Sequence, residues 1–179
     1  FKQALKVYPE SGLAHLNLGR YYRQNNQPDD AYRIYTQGIE RSPGYYKLYS
    51  NRGKIFFDNG NYDKALEDYN KCLELNPNYA IALANRGAAY GMKEQWDEAL
   101  EDLTKAIELD PDYVNALKNR GYIYHQLGEF QKNIDDYNKY LELVPNDADV
   151  INTIGLCYFK MRDFEKAIQE YNKSIQINP

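Results

Sequence analysis

The sequence has little of the chemistry on which enzymes and metal sites depend. It contains two cysteines, Cys72 and Cys157, and two histidines, His15 and His125, among 179 residues. Two cysteines are too few for a disulfide framework, and these four residues show no zinc-ligand spacing. No glycine-rich phosphate loop, HExxH or GxSxG motif is present. The sequence therefore predicts no catalytic residue, no metal site, no cofactor and no enzyme activity.

Long apolar runs and β-branched residues are also scarce. No stretch of about 18 apolar residues occurs, so no membrane insertion is predicted within this segment. Valine occurs four times and tyrosine 19 times, which is not typical of β-rich folds. The 22 Lys and Arg residues against 26 Asp and Glu residues give a net charge of −4. An acidic chain is not expected to bind nucleic acid unless its cations gather on one face.

Proline, glycine and aromatic residues mark a period of 34 residues along the whole chain. Six of the seven prolines carry this period, namely Pro9, Pro43, Pro77, Pro111, Pro145 and Pro179. Five of the glycines, Gly19, Gly53, Gly87, Gly121 and Gly155, and five of the aromatic residues, Tyr22, Phe56, Tyr90, Tyr124 and Tyr158, follow it as well. Self-similarity at such a period indicates a repeat protein whose units stack on their neighbours.

Each period is typical of two helices joined by a turn. In residues 46–79, Gly53 and Phe56 share one face of a first helix. Gly60 lies between two asparagines that end this helix. The second helix ends before Pro77, because proline cannot continue the backbone hydrogen-bonding pattern.

The unit resembles the tetratricopeptide repeat (TPR), with Gly at position 8, Tyr or Phe at 11, Ala in four units at 20, Tyr or Leu at 24 and Pro at 32. The resemblance implies an all-α fold, a right-handed α-solenoid of helix–turn–helix units, each with a helix A and a helix B. The expected boundaries are 1–11 for the end of a preceding repeat, then 12–45, 46–79, 80–113, 114–147 and 148–179 in one continuous array. The array thus has five complete or nearly complete repeats after a partial N-terminal helix. Because neither end has a polar closing helix, we expect an excerpt of a longer array, with self-association through the ends as an open alternative.

The fourth repeat departs from the pattern. Asn133 replaces the small residue at position 20, and Tyr140 occupies a position where the family prefers a small residue. We therefore expect this repeat to pack differently. The tyrosines that follow each proline, Tyr45, Tyr79 and Tyr113, are expected to pack between repeats. Three acidic pairs on helix B, Glu67-Asp68, Glu101-Asp102 and Asp135-Asp136, are expected on a solvated face.

The resemblance implies a peptide-binding groove along helix A, formed by positions 2, 5, 6, 9, 12 and 13, which share one helix face. Six cations and two anions occupy these positions, whereas the rest of the chain is acidic. The cations are Arg20, Arg23, Lys47, Lys54, Lys118 and Lys160, the anions are Asp58 and Asp149, and Tyr122 is an aromatic anchor on the same face. We therefore expect the groove to attract an acidic segment or a C-terminal carboxylate, more weakly as salt rises.

Position 6 carries a row of carboxamides, Asn17, Asn51, Asn85 and Asn119, followed by Thr153. An amide can both donate to and accept from a peptide backbone, so such a row could hold an extended chain without reading its side chains. The row is similar to the asparagine ladder in the TPR region of O-GlcNAc transferase. The alternative is that the recurring Asn-Arg-Gly is only copied repeat consensus.

These observations favour a non-catalytic protein–protein interaction scaffold that binds an extended peptide segment. The alternative is a regulatory or substrate-recruiting TPR arm of a larger enzyme such as a glycosyltransferase. RNA binding is disfavoured by the pI of about 5.3 and by the lack of a regular base-reading pair in each repeat. The sequence predicts no compartment.

Overall fold

In the computed structural model, which describes residues 10–178, this range contains ten α-helices and no strand. The helices are α1 (Gly12–Gln24), α2 (Pro28–Arg41), α3 (Tyr46–Asp58), α4 (Tyr62–Leu75), α5 (Ala80–Met92), α6 (Trp96–Leu109), α7 (Val114–Gln126), α8 (Phe130–Leu143), α9 (Ala148–Lys160) and α10 (Phe164–Ile177). The predicted all-α, helix–turn–helix fold is confirmed. The partial helix expected in residues 1–11 falls almost wholly outside the described residues.

The chain divides into two compact units, residues 1–95 and residues 96–179. Unit 1 contains α1–α5, in which each helix packs on the next and α3 also contacts both α1 and α5. Unit 2 contains α6–α10, again with each helix packed on the next. Each unit has buried aliphatic and aromatic side chains between its helices, so the apolar face of one helix is buried by its neighbours.

Close contact between helix A and helix B depends on the glycine at position 8. A Cβ atom on Gly19 would overlap the ring of Tyr35, and one on Gly53 would lie 2.8 Å from Cε1 of Tyr69. Both tyrosines, at position 24, are fully buried. Because protein interiors are close-packed, the ring occupies the space that a side chain at position 8 would need.

The unusual polar residues of the fourth repeat find hydrogen-bond partners within unit 2, in the fourth and fifth repeats. Asn133 is fully buried, and its Nδ2 donates to the Gly121 carbonyl at 2.8 Å while its Oδ1 accepts from the Cys157 thiol at 3.1 Å. Tyr140 is also buried, and its hydroxyl donates to Asp147 at 2.8 Å. Asp147 stands where the first three repeats have a tyrosine, so this repeat carries its tyrosine on helix B instead.

The expectation that the acidic pairs lie on a solvated face is wrong for one member of each pair. Asp68, Asp102 and Asp136 are buried, with about one twentieth of their surface exposed, whereas Glu67, Glu101 and Asp135 are exposed. For Asp68 and Asp136 the reason lies on helix A, where an arginine at position 7 pairs with the buried aspartate. Nη2 and Nε of Arg52 donate to the two carboxylate oxygens of Asp68 at 2.8 and 2.9 Å.

The same geometry recurs in unit 2, where Arg120 donates to Asp136 at 2.7 and 2.8 Å. Each arginine also reaches a threonine on the preceding helix B, since Arg52 donates to Thr36 at 3.3 Å and Arg120 to Thr104 at 3.2 Å. The arginines therefore connect three helices. Burial raises the pKa of Asp68, and the hydrogen bond from Arg52 opposes this rise.

We expect Arg52→Met to lower the free energy of unfolding by about 3–5 kcal/mol, because it leaves the Asp68 carboxylate buried without its cation. The double variant Arg52→Met/Asp68→Leu should lose much less of its free energy of unfolding, because no buried charge remains. Urea unfolding of both variants and the wild type measures the difference. Equal losses in the single and double variants would show that the arginine acts through packing alone.

We expect Gly19→Ala to lower the free energy of unfolding by about 1–3 kcal/mol, because its Cβ overlaps Tyr35. Helix propensity alone would favour alanine by about 1 kcal/mol, so a loss isolates the steric effect. The matched control is Gly44→Ala in an exposed turn, where a Cβ meets no atom within 4 Å. Thermal unfolding should show a lower midpoint for the first variant only.

Candidate functional site

Unit 1 contains a pocket of about 690 Å³ on the helix-A side. It is lined by Leu13, Leu16, Asn17, Arg20, Arg23, Gln24, Tyr45, Lys47, Asn51, Tyr79 and Ile81. All of these except the two tyrosines occupy the helix-face positions that the sequence assigns to a groove. Of the predicted site residues in unit 1, only Lys54 and Asn85 are not part of the lining. We call this surface the unit 1 pocket.

One end of the unit 1 pocket is cationic. Arg20 and Arg23 lie in the C-terminal half of α1, and Nη2 of Arg23 is 3.5 Å from a carboxylate oxygen of Asp58 at the end of α3. Lys54 forms an ion pair with the same carboxylate. Arg20 is exposed and makes no ion pair within residues 10–178. The groove positions of unit 1 hold four cations, with Lys47 as the fourth, and one anion, so this face carries a net charge of +3.

The other end of the unit 1 pocket is mainly apolar, and its one cation, Lys47, lies 5.7 Å from the centroid of the Tyr46 ring. Tyr45 immediately precedes α3, and its ring packs against the start of α1, since a Cβ on Gly12 would be 2.7 Å from its Cγ. The Tyr46 ring packs on Tyr45 at 6.4 Å and on Tyr79 at 5.0 Å between centroids. Leu13 is 55% exposed and Ile81 is 42% exposed beside these rings. The exposed aliphatic surface and the tyrosine rings together form an apolar wall.

The sequence did not identify Tyr45 and Tyr79 as pocket residues. Both are half-buried, so they pack between helices as expected and also present part of their rings to the pocket. Both immediately precede a helix A, so the set of positions that share one face of helix A does not include them. A tyrosine recurs one residue before three of the five A helices, next to position 2 of the groove, and this recurrence is the signal that could have revealed them.

The predicted asparagine row is divided between the two units. Asn17 and Asn51 line the unit 1 pocket together, Asn85 lies on α5, and Asn119 lies on α7 of unit 2. All four are half-buried. Nδ2 of Asn51 donates to the Lys47 carbonyl within its own helix at 2.8 Å, which leaves its carbonyl oxygen and one amide hydrogen for a ligand. Thr153 makes a similar bond, from its hydroxyl to the Asp149 carbonyl at 2.8 Å.

In unit 2, the predicted groove residues Lys118 and Tyr122 lie on α7. Tyr122 is 48% exposed. The Lys118 ammonium donates to Asp147 at 2.7 Å, and the same oxygen accepts from the Tyr140 hydroxyl at 2.8 Å. The hydrogen bond to Asp147 raises the pKa of Lys118. Lys118 is therefore a cation that the protein already neutralises, unlike Arg20.

Asp147 shows the complementary effect. Burial alone would raise the pKa of its carboxyl, but hydrogen bonds from Lys118, from Tyr140 and from the Val150 backbone together lower it below the usual 3.8. The carboxylate also caps the N-terminus of α9 through Val150. This contribution to stability is complete above the pKa of the unfolded chain and is lost as the pH falls through the lower pKa of the folded state.

We expect Asp147→Asn to lower the free energy of unfolding by roughly 0.5–1 kcal/mol at neutral pH, since asparagine keeps the helix cap and loses only the charge. The difference from the wild type should shrink as the pH falls below 3.8 and vanish once the carboxyl is protonated. Urea unfolding across this pH range measures it. Asp112→Asn, at an exposed carboxyl without an ion pair in the described range, is the control and should show no such convergence.

Across residues 10–178, no group of three or more His, Cys, Asp or Glu side chains could hold a metal ion. No helix in the same range has the length and apolar character needed to cross a membrane. Burial raises the pKa of Cys72 to about 12 and that of Cys157 to about 11. Both thiols therefore stay protonated at neutral pH, and a thiol is a much weaker nucleophile or ligand than a thiolate.

Helix–turn–helix units at a 34-residue spacing define a helical-repeat protein. Four family models match the chain, three described as "Tetratricopeptide repeat" and one as "TPR repeat". They cover residues 1–33 and 68–101, 46–79 and 148–179, 92–128, and 114–147. The chain belongs to the tetratricopeptide repeat family.

Solved structures support the same fold. MamA is 25% identical, with a TM-score of 0.80 over 94% of this chain and 92% of MamA. PilF of Pseudomonas aeruginosa is 22% identical, with a TM-score of 0.83 over 94% of this chain and 77% of PilF. YrrB, described as a TPR protein with an unusual peptide-binding site, is 21% identical, with a TM-score of 0.80 over 99% of this chain and 92% of YrrB. No curated protein sequence matches the chain.

Proposed function

We propose that this protein is a non-catalytic interaction scaffold that binds an extended, acidic peptide segment in the unit 1 pocket. The observation that carries the proposal is the composition of that pocket, which combines unneutralised cations, carboxamides and exposed apolar side chains on one face. The description of YrrB as a peptide-binding TPR protein supports the same kind of ligand. A segment that runs along α1 suits this pocket, because α1 supplies six of its eleven lining residues.

Different side chains of the pocket contribute different interactions to binding. Asn17 and Asn51 can exchange hydrogen bonds with the backbone of a bound segment, which an amide does with either donor or acceptor. Arg20, Arg23 and Lys47 attract carboxylates, and this attraction mainly raises the association rate and weakens with salt. The arginines add directional bonds because a guanidinium can hold a carboxylate through two parallel N–H groups.

The alternative prediction, a substrate-recruiting arm of a larger enzyme, uses the same pocket for the same chemistry. No feature of the described residues favours it over a scaffold that acts alone. The likeness of the asparagine row to that of O-GlcNAc transferase stays a hypothesis. The full-length reading frame separates the two functions, because an adjoining catalytic domain would favour the recruiting arm.

The ligand for this test is a peptide selected for binding to the wild-type protein, here called the captured segment. We expect Arg20→Ala/Arg23→Ala to weaken its binding by roughly fivefold to thirtyfold, because two partly exposed charge contacts are lost. Asn17→Ala/Asn51→Ala should lower the affinity roughly tenfold or more, because hydrogen bonds to the backbone of the bound segment are lost. Calorimetric titration with the captured segment at low and high salt measures both effects, and only the wild type and the asparagine variant should respond strongly to salt.

Matched controls remove the same groups elsewhere. Arg33→Ala removes a guanidinium from the exposed surface of α2, and Asn172→Ala removes an exposed amide from α10. Neither control should change affinity. Partners that bind both pocket variants as tightly as the wild type would contradict the proposed function.

A further inference from the structure

We propose that the unit 1 pocket reads two side chains of its ligand together, one acidic and one apolar, spaced three to five residues apart in an extended segment. This inference rests on the proposed function and specifies the chemistry of the partner. It follows from the positions of the cationic and apolar ends along a single helix, α1.

The acidic side chain fits the end that holds Arg20 and Arg23. These residues are three apart on α1 and therefore lie on the same face. Arg23 shares Asp58 with Lys54, whereas Arg20 is exposed and has no carboxylate partner among residues 10–178. An incoming carboxylate would thus meet one unpaired guanidinium beside a second that is only loosely paired. Charge complementarity of this kind selects acidic segments and disfavours basic ones.

The apolar side chain fits the opposite end, where Leu13 and Ile81 are exposed beside Tyr45 and Tyr79. Lys47 also lines this end, but it is half-buried and its ammonium packs on the Tyr46 ring. An aliphatic or aromatic side chain placed there would remove apolar surface from water on both partners. Tyrosine rings with a fixed position lose little conformational freedom on binding, which is why such residues dominate binding hot spots. Both rings contact Tyr46, Tyr45 in a tilted arrangement and Tyr79 edge to face.

The distance between the two ends sets the spacing. Leu13 is seven residues from Arg20 and ten from Arg23, which at about 1.5 Å per helical residue corresponds to roughly 10–15 Å. An extended peptide advances about 3.3 Å per residue, so three to five residues span the same distance. Asn17 lies between the two ends and can bind the backbone that connects the two side chains.

The fourth repeat provides an internal contrast. Its helix A, α7, has Tyr122 and His125 where α1 has Arg20 and Arg23. Its cation Lys118 is already bonded to Asp147. The same fold therefore lacks the cationic end on α7. The joint recognition of an acidic and an apolar side chain, here called the two-point reading, is thus expected of unit 1.

The test is selection from a phage-displayed library of random dodecapeptides against the whole 179-residue protein. We expect enriched peptides to carry Asp or Glu three to five positions from Leu, Ile, Phe, Tyr or Trp, at roughly fivefold their frequency in the unselected library. Parallel selections use Arg20→Ala and Leu13→Ala, with Arg33→Ala and Leu75→Ala as exposed controls. Circular dichroism of each variant checks that it is folded.

The outcomes separate this inference from the proposed function. Arg20→Ala should reduce the acidic preference and keep the apolar one, Leu13→Ala should show the reverse, and the controls should match the wild type. Peptides that depend on both residues but show no preferred spacing would overturn the two-point reading and leave peptide binding in place. An absence of enriched peptides, or enrichment that neither pocket variant alters, would overturn both.

Discussion

The close contact between helix A and helix B of one unit is the constraint on which the rest of the structure depends. With glycine at position 8, the rings of Tyr35 and Tyr69 lie directly on the backbone of helix A. That contact occupies one face of helix A, and the neighbouring helices occupy adjacent surface. The face that remains carries positions 2, 5, 6, 9, 12 and 13, and in unit 1 this face lines a pocket. The pocket is therefore a consequence of how the helices pack, and its chemistry is set by residues that packing does not use.

The charged residues separate by depth into those that serve the fold and those that face solvent. The pair of half-buried Arg52 and buried Asp68 connects helices, and the carboxylate would be costly to leave unpaired. The first repeat has Leu18 and Ile34 at these two positions, and Leu18 is also buried. An ion pair and an apolar pair can thus fill the same place, as expected when the desolvation of two charges offsets most of their attraction. Arg20 belongs to the other class, since nothing in the described range neutralises it.

The repeat period was sufficient to predict the fold, because proline, glycine and aromatic spacing reports local rules that each unit obeys separately. It also predicted most of the unit 1 pocket, because a helix face follows from residue spacing within one helix. The pairing of charges could not be predicted in this way. Arg52 and Asp68 are 16 residues apart on different helices, and Lys118 and Asp147 are 29 apart. Such pairs depend on how helices meet, although the recurrence of the 16-residue spacing at Arg120 and Asp136 is visible in the sequence.

The fourth repeat shows that a small exchange of residues changes the chemistry of the groove and leaves the fold unchanged. The first three repeats combine a small residue on helix B, Gly38, Cys72 or Ala106, with a tyrosine before the next helix A. The fourth places Tyr140 on helix B and Asp147 before α9, and Asp147 then neutralises Lys118. One exchange of residues thus removes an aromatic side chain from the start of a helix A and a free cation from α7. Because the TPR fold tolerates this exchange, family membership alone does not identify the ligand, and residues such as Arg20 and Tyr45 must be read individually.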